Sequence, residues 1–293
     1  MALTINTNIS SMVAQQNLAK ATGSLNKAIE RMTTGYKINH AGDNAAGYSI
    51  ARNWETQLGS LDIAADNAAT GADMMTTLED HYSLISSHLQ RVRDLTEQAS
   101  NGTYGSASLN AIKSEITARL EEIDRISANC EFNGQHLMNG SMGAINLQVG
   151  LYSSSDSKIE LKADLFKKGD VGTLFKTYSK GDGTEDNTLA DKAAVATACT
   201  GSNASDMLNK IDNVIKEISN RTTTLGAAQN RIDSAIESIA VQSENITSSL
   251  STLRDADVAK ESSNYIQAQI LQQAAATLLA TANQTPSIAL NLL

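Results

Sequence analysis

The chain holds one proline, one tryptophan and three phenylalanines, and aromatics make up only 4% of its 293 residues. Compact cores draw much of their buried area from aromatic side chains. A chain this poor in them, and rich in Ala, Ile, Leu, Asn, Gln, Ser and Thr, suits long helices packed closely. Cysteine is scarce as well. Cys130 and Cys199 stand far apart, which is no disulfide scaffold; they read as unpaired thiols, with Cys130 continuing the apolar column Leu109, Ile116, Ile123 as a small buried residue. No basic cluster offsets a net charge of −9 and a pI near 5.0, so nucleic acid is not an expected partner.

Other absences narrow the function. The N-terminus lacks a basic stretch followed by an apolar run, so no cleavable secretory signal is expected. No window of about 18–20 residues is apolar enough for membrane insertion. The default expectation is therefore a cytoplasmic protein, unless a route without a signal peptide exports it. No Gly-rich phosphate loop and no Ser/His/Asp or Cys/His arrangement stands out, so neither enzyme activity nor a cofactor is expected. His81 and His88 lie one heptad apart, without the i, i+4 spacing or third ligand of a metal site, and read as solvated or packing residues. Asn101, Asn139 and Asn203 open glycosylation sequons that read as chance matches.

What the chain does have is heptads. Over 208–253 one column is apolar without a break: Ile211, Ile218, Leu225, Ile232, Ile239, Ile246, Leu253. Three residues before each lies a mixed column of Leu208, Ile215, Thr222, Gln229, Ile236, Ser243 and Leu250. This is the coiled-coil seam of a helix roughly 70 Å long, which needs partner helices to bury it. The partners come earlier in the chain. A second long helix carries a four–three seam of Trp54, Gln57, Leu61, Ala64, Ala68, Gly71, Met75, Leu78, Tyr82, Ile85, Leu89, Val92, Thr96 and Ala99, whose small central members allow a close neighbour. A third runs over about 106–129 on Leu109, Ile112, Ile116, Leu120, Ile123 and Ile126. Alternation in 145–149 and 159–161 around a Ser-rich turn predicts a β-hairpin at about 144–162, and 166–205 reads as a short variable surface region with a helix at 189–198.

The two ends match in character. Residues 1–34 predict a helix with Ile5, Ile9, Met12, Leu18, Leu25, Ile29 and Met32, and no charge before Lys20. Residues 257–285 predict another, stopped by Pro286, and no charged residue follows Glu261. Connectors at 35–43 and 254–256 join each to the rods, with Asp43 or Asn44 available to cap the next helix. Uncharged helices are poor solvated surfaces. Ile5, Ile9, Met12, Leu18, Ile270, Leu271, Leu278 and Leu279 are thus expected to be buried against copies of the same chain. Neither end is expected to have a seam to bury within one molecule, so both should be disordered when free. The fold class is mainly α: end helices (1–34 with 257–293) pair into one domain, rods (44–165 with 206–253) into a second, and a small hairpin region lies in the middle.

Several stretches in order carry a family resemblance: 5–8 and 15–18, Arg31-Met-Thr-Thr-Gly-Tyr-Lys-Ile-Asn39, Asp43-Asn-Ala-Ala-Gly47, Leu89-Gln-Arg-Val-Arg-Asp-Leu95, Phe132-Asn-Gly134, Asn230-Arg231, Ala256-Asp257, and Asn283-Gln-Thr-Pro286 through Leu293. The chain closely resembles bacterial flagellin, over more than half its length. One departure is Gly42, where many members carry a second acidic residue before Ala-Ala-Gly. The resemblance implies a helical homopolymer, the extracellular filament used for swimming. It also implies an inner domain lining a channel, export of the unfolded chain through a type III-type apparatus, and an export chaperone and a filament cap as partners. It places Gln90, Arg91, Leu95 and Glu115 where some flagellins contact the vertebrate innate receptor TLR5, with subunit contacts in the filament as their primary role. The rivals are a hook–filament junction protein and a secreted coiled-coil adhesin or effector.

Overall fold

The computed structural model describes residues 7–181, 185–201 and 204–290, the side chains of 285–290 excepted. Seven α-helices and four short strands are described: α1 (Ile9–Thr34), α2 (Ala45–Ser100), α3 (Ser106–Asn129), β1 (Glu131–Phe132), β2 (Gln135–His136), β3 (Ile145–Gln148), β4 (Lys158–Leu161), α4 (Val171–Tyr178), α5 (Lys192–Thr200), α6 (Ala204–Arg254) and α7 (Val258–Leu290). Packing divides the chain into two units: Met1–Gly59 with Ser243–Leu293, and Ser60–Gln242. Both connectors fall inside the first unit.

The second unit holds the large core. The four–three spacing on α2 turns Leu61, Ala64, Ala68, Met75, Leu78, Tyr82, Ile85, Leu89, Val92 and Thr96 inward, each fully buried or nearly so. From Ala68 to Val92 these share one core with Ile112, Ile116, Leu120, Ile123 and Ile126 of α3 and Ile211, Ile218, Leu225 and Ile232 of α6; Ile239 is buried as well. Ion pairs and amide bonds outside the core set the direction of the helices. Arg91 pairs with Glu115 at 2.9 Å, Arg93 with Asp212 at 2.6 Å, and Gln229 donates to Glu79 at 2.9 Å, so α2 is antiparallel to α3 and to α6. The second buried column of α6 is Met207, Val214, Arg221 and Ala228, four residues before the first column rather than three. The mixed column Leu208, Ile215, Thr222, Gln229, Ile236 lies one position further round and is only half-buried.

Arg221 is a charge in that column, 5% exposed. Its Nε donates to Glu217 at 3.0 Å and its Nη1 to the Lys168 carbonyl at 3.1 Å, and its guanidinium lies 5.1 Å from the Tyr178 ring. These contacts tie the middle of the chain to α6 and offset the cost of burying the charge.

The hairpin forms where the alternation placed it. β3 and β4 are antiparallel, with Ile145 opposite Leu161 and Leu147 opposite Ile159. Leu147 lies against Gly71, where any side chain would collide with it, which explains the small residue in the α2 seam. A second, smaller hairpin joins β1 to β2 through Asn133 (φ 48°) and Gly134 (φ 78°), an Asn-Gly pair suited to left-handed backbone. That dipeptide is the sequence signal for it.

The middle segment departs from the surface region expected at 166–205. Phe166, Val171, Leu174, Phe175, Leu189, Val195, Ala196 and Cys199 are buried in the same core as the rods. The helices there are α4 and α5, not one helix at 189–198. Polar side chains hold the segment. Asp124 accepts from the Val171 amide at 2.8 Å and pairs with Lys192 at 2.9 Å, while Asp186 pairs with Lys210 at 2.8 Å. Its few apolar residues are spaced over short helices, so no long periodicity announced them. Cys130 and Cys199 are free and fully buried, and burial pushes their thiols up to about 12 and about 11.

Two outcomes follow from this packing. Ile232→Asp puts a carboxylate into a fully buried seam position and should cost about 3–5 kcal/mol, read as a lowered unfolding midpoint by circular dichroism. Hydrogen bonding from Lys210 and Thr188 holds Asp186 at about 2, below its ordinary 3.8, so its contribution is complete above about pH 4 and is lost as pH falls toward 2. Asp186→Asn should therefore destabilise the chain at neutral pH and flatten its acid limb, measured by denaturant midpoints across that range.

Candidate assembly interface

The end helices pair with each other. Asn8 Nδ2 donates to the Ala282 carbonyl at 2.7 Å, Ser11 to Asn283 at 2.7 Å, Gln272 to Thr22 at 3.1 Å, and Arg31 to Glu261 at 3.1 Å, so α1 and α7 run antiparallel. Their seam is alanine. Ala14, Ala21 and Ala28 are buried on α1, and Ala268 and Ala275 on α7, each series spaced by seven. Glu261, 7% exposed, occupies the next position of the α7 column. The expectation that neither end has a seam to bury within one molecule is thus corrected. The signal was a heptad of alanines, hidden because hydrophobic patterns are read from large side chains.

The large side chains face outward. Ile9 is 67% exposed and Met12 66%, with Val13, Ile29 and Met32 also exposed. On α7, Ile270 is 60% exposed and Leu278 62%, with Ile266 and Leu271 beside them. Of the remaining residues singled out from sequence, Leu18 and Leu279 are half-buried and Ile5 lies outside the described residues, as does Asn203. An open groove of about 630 Å³ runs along the pair, lined by Ala21, Lys27, Ala268, Leu271, Ala275 and Leu278 among others.

Connectors brace this unit. Gly35 takes φ 75° to cap α1, and Tyr36 bridges Asp255 in antiparallel fashion, with the Lys37 amide donating to the Arg254 carbonyl at 2.7 Å. Arg254 stacks 4.1 Å from the Tyr36 ring and pairs with Glu55. Asp43 pairs with Lys27 at 2.6 Å and accepts from the Asn39 and His40 amides, while Asn44 caps α2 by accepting from the Gly47 amide. The Lys27 contact, aided by the His40 amide, holds the Asp43 carboxyl down at about 2. Ile246 and Leu253 of α6, the last of the rod column, are half-buried here.

The other candidate patch is only partly a surface. Gln90 and Arg91 are exposed and Arg91 reaches Glu115, but Leu95 is 2% exposed in the core. It follows Val92 on the buried side of α2, so the expectation of a contact residue there is corrected. His81 and His88 are half-buried, His81 bonding the Thr77 carbonyl at 2.7 Å and burial lowering the His88 pKa. Among the described residues no group of three or more His, Cys, Asp or Glu is placed to hold a metal, and no helix is long and apolar enough to cross a membrane.

Comparison with known proteins decides what these surfaces belong to. Residues 5–142 match the bacterial flagellin N-terminal helical region, and residues 208–293 match the bacterial flagellin C-terminal helical region. The chain belongs to the bacterial flagellin family. It is 37% identical to a flagellin of Xenorhabdus nematophila over 316 aligned positions, covering 100% of both chains. It is 34% identical to a flagellin of Halalkalibacterium halodurans over 289 positions, covering 99% of each. A solved flagellar hook-associated protein of Vibrio parahaemolyticus shares the fold, with a TM-score of 0.59 at 13% identity over 73% of this chain and 100% of that one. At that identity the likeness is one of fold alone. As a flagellin, the chain is a structural subunit that self-assembles into the extracellular flagellar filament used for swimming; it is not an enzyme.

Alanine contacts between α1 and α7 are close, so enlarging one forces the helices apart. Ala21→Leu should remove helix signal from the end pair, costing about 1–3 kcal/mol there, while the main cooperative transition of the rods stays in place. Hydrogen exchange resolved by peptide is the measurement.

Proposed function

We propose that the outward rows of α1 and α7 are the surfaces on which flagellin copies stack. The observation that carries this is the exposure of Ile9, Met12, Ile270, Leu271 and Leu278 on helices that have no charge before Lys20 or after Glu261. A monomer that leaves so much aliphatic surface in water gains by covering it, and the hydrophobic term grows with the area removed from solvent. Leu18 and Leu279 contribute their exposed remainder. The rods, with the continuous column from Ile211 to Leu253, then form a second, rigid layer that carries load between copies. On this division residues 1–34 and 257–293 form the inner domain, and 44–165 with 206–253 the rod domain.

The same reading extends to the life of the subunit. The chain leaves the cell unfolded through a type III-type apparatus, handed on by an export chaperone and placed beneath a filament cap. One proline and two thiols that are buried and protonated once folded suit a chain that must refold quickly without mispairing. Gln90 and Arg91, exposed, and the half-buried Glu115 offer a polar patch for contacts between subunits and, incidentally, for TLR5.

Leu278→Asp and Ile270→Asp test the stacking surface. Each places a charge on the outward row without touching the alanine seam. Pelletable polymer grown from seeds should fall at least about tenfold, with rod melting unchanged. Full polymer yield from either variant would remove these rows from the interface.

A further inference from the structure

The alanine seam joins α1 to α7 but sets no height. Alanine recurs every seven residues on both helices, so sliding one along the other by a heptad, roughly 10 Å, lays alanine on alanine again. Something else must fix where the outward rows of the two helices stand. At the end nearest the connectors, the Tyr36–Asp255 bridge and the Arg31–Glu261 pair do so. The far end has no connector.

There the structure offers an unusual acceptor. α7 continues as helix through Pro286 to Leu290, where the sequence predicted a stop. Proline has no amide hydrogen, so the carbonyl four residues earlier, on Ala282, loses its helical donor. Asn8 supplies the replacement: its Nδ2 donates to the Ala282 carbonyl at 2.7 Å. The same side chain uses its Oδ1 to accept the Ser11 amide at 3.0 Å and so caps α1. One amide thus starts one helix and repairs the break in another. The Gln272–Thr22 and Ser11–Asn283 bonds also join the two helices beyond the connectors, but both are made between exchangeable side chains; the donor-less carbonyl occurs at a single place within the body of α7 and adds a backbone landmark that the alanines lack.

We propose that Asn8 is a positioning residue for self-assembly. By bonding the carbonyl that Pro286 strands, it fixes the height of α1 against α7, and with it the relation of the Ile9–Met12 row to the Leu271–Leu278 row. The consequence for assembly rests on the stacking surface proposed above; the lock itself does not.

The test is a cycle between positions 8 and 286 in the full-length chain. Asn8→Asp keeps the cap acceptor and removes the donor. Asn8→Ser also keeps a capping oxygen but is neutral and too short to reach, which separates lost donation from added charge. Pro286→Ala returns the amide hydrogen that bonds Ala282. In the soluble chain, both Asn8 variants should speed hydrogen exchange in peptides covering 278–290 by at least about tenfold, and adding Pro286→Ala should abolish most of that effect. Equal effects with and without the Pro286→Ala substitution, no effect of either Asn8 variant, or no wild-type protection over 278–290 would each overturn the lock. Seeded polymer yield is read in parallel. A coupled exchange effect with unchanged yield would leave the bond standing and overturn its role in assembly, while the Leu278→Asp and Ile270→Asp variants report on the stacking surface separately; loss of both, restored together by Pro286→Ala, supports the proposal.

Discussion

Close approach through alanine is the constraint on which the end-helix unit depends. Methyl groups at Ala14, Ala21, Ala28, Ala268 and Ala275 bring α1 and α7 together and bury little else. Because the seam is so narrow, the isoleucines, leucines and methionines of both helices are left on the outside. A seam of leucine would have hidden that surface inside one molecule and left nothing to share. The pairing is therefore sufficient to organise the ends and insufficient to satisfy them, which is what a polymerising subunit requires.

The second unit follows the opposite rule. Its seams use Ile, Leu, Met and Tyr82, and the buried residues form one continuous cluster across three rods, the hairpin and the middle segment. Stability there comes from area removed from water within a single chain. Arg221 is the exception, a buried charge whose contacts with Glu217, the Lys168 carbonyl and the Tyr178 ring hold the middle segment to α6. Breaking any one of those contacts leaves a desolvated cation, so the arrangement favours a single way of docking that segment.

Much of this was legible in the residues. The α2 seam from Leu61 on, the α3 seam from Ile112 on and the first α6 column as far as Ile239 are buried, and the β3–β4 hairpin forms, where the spacing puts them, because long helices and half-buried strands repeat. Family membership followed from motifs at both ends. Less legible was anything decided by small or isolated residues. The alanine seam resembles ordinary helix filler; Arg221 looks like a solvated charge until its column proves to face inward; Pro286 reads as a stop unless Asn8, at the opposite end of the chain, is known to serve the carbonyl it frees. Leu95 was assigned to a surface from motif alone, while its place one turn beyond Val92 put it in the core. The aromatics of the middle segment, Phe166 and Phe175, were too few to form a pattern, yet they are among the largest fully buried side chains.

Residues 143–207 lie between the stretches that match the two flagellin regions. Within that stretch, the apolar residues of α4 and α5 are packed into the rod core. The turn between β3 and β4 differs: Tyr152 is 66% exposed and Ser153 and Ser154 beside it are exposed, while the strands on either side keep their own register. For anyone wishing to display a foreign epitope on this filament, that serine-rich tip is the socket, and the helical segment after it is masonry to be left alone.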